Sequence, residues 1–389
     1  MRIFYSVFGA ALLTASASLA EVKLEVTYLK VEQELPPVLS NLDPIPLDLG
    51  LAGAEVGLKD NSTTGRFLGH SYALTVVQVA LGEDPALAAL GALETSPFVV
   101  IDAPGDVLRV IADLPEAENA LLFNAASGDN ALRDGECRAN LLHTLPSDAM
   151  RTDALAQFFV KRRWDRLVLV EGTHPDDSAY AASLRGSLTK FGLKLRSEKT
   201  WAFDADMRRN AAQEVPLFTQ DLKDHDVLLV ADEIHDFGRY IAYNTWDPRP
   251  IAGSEGLTAV AWSEVVEQWG AAQLQSRFED HADRHMKPED YGAWAAMRVL
   301  GEAVTRTNSA DPATLRDYIL GPDFELAGFK GRPMSFRPWN GQLRQPIALV
   351  HPRAMVAMAP LEGFLHPVSE LDTLGRDQPE TNCTAFEGN

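Results

Sequence analysis

Carboxylates recur just behind short apolar runs along this chain, and that recurrence is its clearest chemical signal. Asp102 and Asp106 follow Pro97–Ile101, while Asn124, Ser127 and Asp129 follow Ala120–Phe123. Asp177 lies in the segment after Arg166–Val170, and Asp232 and Glu233 follow Val227–Ala231. Carboxylates placed this way could divide acid and base work, accept hydrogen bonds from a polar guest, or ligate a hard cation. The surroundings favour the second role. There is no Gly-x-Ser-x-Gly elbow, no His-Glu-x-x-His helix and no phosphate-cradling Gly-x-x-x-x-Gly-Lys run. We therefore expect a binding protein rather than an enzyme, working without a cofactor.

Two other groupings invite a metal. Asp232-Glu233-Ile234-His235-Asp236 is oxygen-rich, but it lacks the alternate-residue spacing and glycine turn of a calcium loop. It reads better as a loop in which Asp236 caps a helix over Phe237–Asn244. His281 and His285 stand four apart with Asp280 and Asp283 beside them, which fits a solvated helix face better than a ligand pair. No metal is expected. Trp262 closes the run Leu257–Trp262 and is the aromatic residue expected at the binding surface.

Positioning these residues falls to alternating strands and helices. Val22–Tyr28, Tyr72–Val79, Leu193–Phe203 and the five runs already named read as strands. Helix-period segments intervene at Pro85–Leu93, Asp106–Leu114, Thr152–Lys161 and Ser178–Phe191. Such alternation means βαβ units and parallel sheets covered on both faces. A break falls at His143-Thr144-Leu145-Pro146-Ser147-Asp148, where proline ends a strand and Ser147 or Asp148 can cap the next helix. After Trp262 come long helical stretches, Ser263–His285 and Glu289–Thr307, a shorter one at Pro312–Ile319, and then extended runs at Met334–Phe336 and Ile347–Met358. The expected architecture is α/β, with two Rossmann-like parallel-sheet lobes, residues 21–145 and 146–263. A tail, 366–389, completes the chain. Ligands of parallel sheets meet the carboxyl ends of strands, so the loops carrying the carboxylates should line a cleft between the lobes.

Bulk properties narrow the partners. The first twenty residues, MRIFYSVFGAALLTASASLA, have the basic start, apolar run and small-residue end of a secretory signal. Export to the periplasm would let Cys137 and Cys383 form a disulfide, pinning the tail through Cys383. With 35 Lys and Arg against 55 Asp and Glu, the net charge is −20, a surface that repels nucleic acid and keeps copies apart as monomers.

The order of segments resembles the type I periplasmic binding proteins, the Leu/Ile/Val-binding-protein-like components of ABC transporters. AGAEVGLKDNSTTGRFLGHSYALTVV is similar to that family's first helix, turn and second strand, and NALLFNAASGDNALR to the loop before the lobe crossover. LLHTLPSDAMRTDALAQFFVKRRWDRLVLV resembles the crossing strand and first βα unit of lobe two, and PEDYGAWAAMRVLGEAV the late helix that returns to lobe one. The start GLAGAEVGLKDNSTTGRFLG is closest to the subgroup associated with PQQ-dependent alcohol dehydrogenase systems. The resemblance implies a hinge joining the lobes, with 264–333 returning to lobe one and 334–365 to lobe two, solute capture by lobe closure, and delivery to an inner-membrane ABC permease. A periplasmic quinoprotein dehydrogenase is the further partner it suggests, for an accessory or sensor protein without a transport role. Amino-acid binders of the family hold the ligand carboxylate with hydroxyls of the first-lobe loops. Here the first such loop is Asp-Ala-Pro-Gly-Asp and the second offers only Ser127. Asp102, Asp106 and Asp129 would repel a carboxylate. The expected solute is small and polar but not an amino acid, held by Asp102, Asp106, Asn124, Ser127 and Asp129 from one lobe and Asp177, Asp232, Glu233 and Trp262 from the other.

Overall fold

The computed structural model describes residues 21–34, 44–202 and 207–387. The expected secretory signal lies outside the described residues. Two separate sheets organise the chain. The first is parallel, in the order β2-β1-β3-β4-β5, from β1 (Val22–Val31), β2 (His70–Val79), β3 (Phe98–Asp102), β4 (Leu121–Asn124) and β5 (Leu141–His143). Helices α1 (Leu51–Leu68), α2 (Pro85–Thr95) and α3 (Gly105–Ala112) connect its strands. The second sheet builds on the parallel strands β6 (Arg166–Glu171), β7 (Lys194–Thr200), β8 (Val227–Ala231), β9 (Ile251–Gly253) and β10 (Leu257–Val260). Its helices are α4 (Asp148–Arg162), α5 (Pro175–Lys190), α6 (Met207–Thr219) and the single turn α7 (Gly238–Ile241).

These elements form where local physics demands. β3 and β8 are continuous apolar runs because helices cover both faces of a parallel sheet, and both strands are almost wholly buried. Ser147 accepts the amide of Met150 and starts α4. The third series, α8 (Ala271–Ala282), α9 (Pro288–Thr307) and α10 (Pro312–Leu320), returns to the first lobe, with α9 lying on α1. Gly53 permits that crossing: a Cβ there would sit 1.9 Å from the Asp290 carbonyl oxygen. α9 is buried on nearly every side, with Tyr291 and Trp294 at the centre of the larger core.

A small antiparallel sheet follows, β11 (Leu326–Ala327), β12 (Pro333–Phe336) and β13 (Leu343–Arg344). Met334, Phe336 and Leu343 belong to the same core as α9, and the chain joins the second sheet at β14 (Ile347–His351). β15 (Ala354–Ala359) pairs antiparallel with β14 at the sheet edge. Two expectations are corrected. The helix expected over Ser263–His285 covers only Ala271–Ala282, because Trp269 and Gly270 take left-handed φ values of 56° and 82° and break the turn before it. The extended run Ile347–Met358 is a hairpin folded at Pro352-Arg353.

Three chain segments pass between the sheets: 144–147, 261–270 and 345–346. The first and third are tied to each other and to their surroundings. Gln345 donates to the Thr144 carbonyl at 2.8 Å, Lys330 donates to Gln345 at 2.5 Å, and the His143 amide donates to the Gly341 carbonyl at 2.8 Å. Cys137 and Cys383 form the expected disulfide. The tail is held by more than that bond, since Leu371, Asp372 and Leu374 are buried and Arg337 and Arg344 both donate to the Asp372 carboxylate.

Candidate functional site

The loop after β4 is the most self-satisfied part of the first lobe. The Asn124 side chain is fully buried: its oxygen accepts the amides of Ala126 and Ser127, and its nitrogen donates to the Ser127 carbonyl at 2.8 Å. Ser127 accepts the Asp129 amide. Asp129 caps a short 3₁₀ turn by accepting the Ala131 amide and pairs with Arg109 at 3.0 Å. Beneath the loop, buried Arg133 donates to the carbonyls of Ser127, Asp129 and Leu145, and burial lowers its pKa to about 10. The same loop meets the second lobe directly. The Asp148 amide donates to the Gly128 carbonyl at 2.9 Å, and the Ala149 amide donates to Asn130.

Asp102, at the end of β3, accepts the Tyr28 hydroxyl at 3.1 Å and stands 3.8 Å from Lys30. Burial pushes its carboxyl above the ordinary value, and Lys30 opposes the shift. Glu289, in the first turn of α9, has a carboxyl raised by burial and by the charges of Asp290 and Asp102. Asp290 itself is neutralised by Arg284 at 2.7 Å and accepts the Gly50 amide. Asp106 is exposed in the first turn of α3 and has no partner among the described residues.

In the second lobe, the carboxylates divide between backbone capping and ion pairing. Asp232 is fully buried and accepts three backbone amides, Asp236 at 3.0 Å, Phe237 at 3.1 Å and Gly238 at 2.6 Å. It holds the entry to α7, the role expected of Asp236, whose side chain makes no cap bond there. Asp177 is equally buried and accepts the amides of Glu233 at 2.7 Å and His174 at 3.1 Å, closing a capping box on α5. Burial, reinforced by Asp232, still raises its pKa to about 6. Glu233 is partly exposed and forms a two-pronged pair with Arg151 at 2.6 and 3.1 Å, while Ser254 donates to it at 2.8 Å. Arg151 also binds Asp148 and lies 4.6 Å from the centre of the Tyr180 ring. The Tyr180 hydroxyl is buried with no hydrogen-bond partner.

Trp262 stands apart from these carboxylates. It stacks on Tyr291 at 5.0 Å, donates to Gln275 at 2.9 Å and is only 3% exposed. Its edge lines a groove of about 220 Å³ with Thr258, Val260, Pro288, Val350 and Glu255. Glu255 joins that groove to the polar cluster, because it lies 3.5 Å from His235. The structure thus gathers Asn124, Ser127 and Asp129 in one loop and Asp177, Asp232 and Glu233 in another. It joins Asp102 and Asp106 to the first of these at Gly105, where a Cβ would lie 2.5 Å from Asp129. Sequence reasoning missed Lys30, Arg151, Glu255 and Glu289. Only Arg151 had a local sign, a cation three residues after the carboxylate that begins α4. His281 and His285 do not converge: each pairs with a different glutamate, Glu55 and Glu279. Among the described residues no group of three or more His, Cys, Asp or Glu is placed to hold a metal ion.

No family model matches the chain, and no curated protein sequence does either. Solved structures do. A branched-chain amino acid ABC transporter periplasmic ligand-binding protein from Burkholderia xenovorans LB400 superposes with a TM-score of 0.72 at 14% identity, covering 94% of this chain and 100% of that one. A leucine-, isoleucine-, valine-, threonine- and alanine-binding protein from Brucella ovis in closed conformation gives 0.64 at 11% identity, covering 84% and 89%. A solute-binding protein from R. palustris in complex with benzoate gives 0.63 at 13% identity, covering 93% and 99%. The chain has the fold of type I periplasmic binding proteins.

Proposed function

We propose that this protein is the periplasmic substrate-binding component of an ABC transporter, capturing a small polar solute between its lobes and handing it to a permease without chemical change. The observation that carries the reading is that Asp102 ends a strand of the first sheet and Glu233 follows a strand of the second, on two sheets linked by three chain crossings. Those crossings would serve as the hinge, and closure would exclude water and strengthen each polar contact. Asp102, Asp106, Ser127, Glu233 and Trp262 would touch the solute. Asn124, Asp129, Asp177 and Asp232 would hold the loops that present them.

Charge argues against an anionic solute for this chain. The R. palustris protein holds benzoate. Here the cations nearest the cleft, Lys30 and Arg151, are already engaged by Asp102, Asp148 and Glu233. Adding an anion would place it against several carboxylates, which Coulomb repulsion disfavours. An uncharged, hydroxyl-bearing solute or an organic cation suits the site better. Alcohol-derived compounds belong to that class, in keeping with the sequence likeness to proteins of PQQ-dependent alcohol dehydrogenase systems. A thermal-shift screen of the mature protein tests the reading. A ligand at about 100 times its Kd adds roughly 2.7 kcal/mol, so polyols, alcohols, aldehydes or organic cations should raise the melting temperature while leucine and benzoate leave it unchanged. Capture of a quinoprotein dehydrogenase with no solute-dependent shift would favour an accessory or sensor role instead.

A further inference from the structure

The C-terminal segment makes a fourth connection between the lobes, and it is built differently from the other three. At one end it belongs to the second lobe. Leu374 lies in the second lobe's core, the Gly375 amide donates to Asp153 at 2.8 Å, and Lys190 donates to the Gly375 carbonyl at 2.8 Å and to Glu380 at 2.9 Å. At the other end it belongs to the first. Thr381 donates to the Arg133 carbonyl at 3.1 Å, the Asn382 amide donates to Asp134, Cys383 is bonded to Cys137, and Phe386 lies in the first core. Between these anchors, Arg376 reaches Asp134 at 3.7 Å, and buried Arg337 holds the strap's start through Asp372 and the Leu374 carbonyl.

We propose that residues 375–383 act as a covalent strap that limits how far the lobes can part. Eight residue steps reach at most about 26–29 Å when fully extended, a reach that already includes unwinding the 3₁₀ turn at Gln378–Glu380. Parting the anchors beyond that reach must break one of them, and the disulfide is an anchor that thermal motion does not release. The stop rests on the lobes moving relative to one another, as the solute-binding reading requires, but it concerns the ligand-free state and is measured without solute.

Small-angle X-ray scattering of three ligand-free proteins tests it: wild type, Cys137→Ser/Cys383→Ser, and a variant with six Gly/Ser residues inserted between Glu380 and Thr381. The insertion keeps both anchors and the disulfide but removes the tension. A strap predicts that both variants show a larger radius of gyration and maximum dimension than wild type, by the same amount. If the inserted variant scatters like wild type, the disulfide acts only on local stability and the proposal fails. It fails equally if neither variant expands. Should the double Cys→Ser variant not fold, the inserted variant alone decides. A failed thermal-shift screen would leave this result standing.

Discussion

Asp232 and Glu233 are neighbours in sequence with opposite duties. Asp232 faces inward and accepts three backbone amides, whereas Glu233 is half-buried and pairs with the Arg151 guanidinium. Removing the first carboxylate strands three donors, so Asp232→Ala should lower unfolding free energy by roughly 3 kcal/mol or more, read from urea midpoints. Asp106→Ala, exposed and unpartnered, should stay within about 0.5 kcal/mol and alter only solute binding. Asp177 supplies a pH signature. Its folded pKa, about 6, lies above the unfolded carboxyl value. The folded state therefore holds the proton more tightly, and this residue's contribution to stability falls as pH rises from about 4 to about 6. The stability difference between wild type and Asp177→Asn should decline over that window, by on the order of 2 kcal/mol, and level off above it. A flat difference would show that the carboxyl is not desolvated.

At the scale of elements, the strands announced themselves and the partners of their side chains did not. Runs such as Val227–Ala231 are readable because a parallel strand is buried on both faces, so its whole length is apolar. The start of α4 was readable from cap chemistry, since Ser147 does cap it. Whether a loop carboxylate turns toward backbone amides or toward a cleft depends on where the next helix begins, which composition does not encode. That is why Asp177 and Asp232 read as ligand contacts. Glu289 comes from a helix distant in sequence from Asp102, so no local spacing marks it, and Arg151 is marked only by its i,i+3 spacing from Asp148, not by its pairing with Glu233. α6 was also missed, its helical pattern interrupted by Pro216. The contact of α1 with α9 was legible only as small residues in a helix, yet it depends on one of them. Gly53→Val would drive side-chain atoms into the Asp290 backbone, and overpacking of this kind costs about 1–3 kcal/mol or more. Denaturant titration should show that loss, and an unchanged midpoint would mean that α9 can shift.

Across the whole molecule, charge and closure make one argument. A chain with net charge −20 repels anions at long range, and in the proposed binding cycle the cleft carboxylates would repeat that preference at contact distance. Closure would supply the burial that makes such contacts selective, and the proposed strap would set the range over which closure operates. The most direct test is small-angle scattering of the mature protein with and without a compound that raises its melting temperature. The account predicts that the bound protein contracts, with a smaller radius of gyration, and that Glu233→Gln weakens the contraction at fixed solute concentration. A compound that stabilises the protein yet leaves the scattering curve unchanged would place the solute on a single lobe and contradict it.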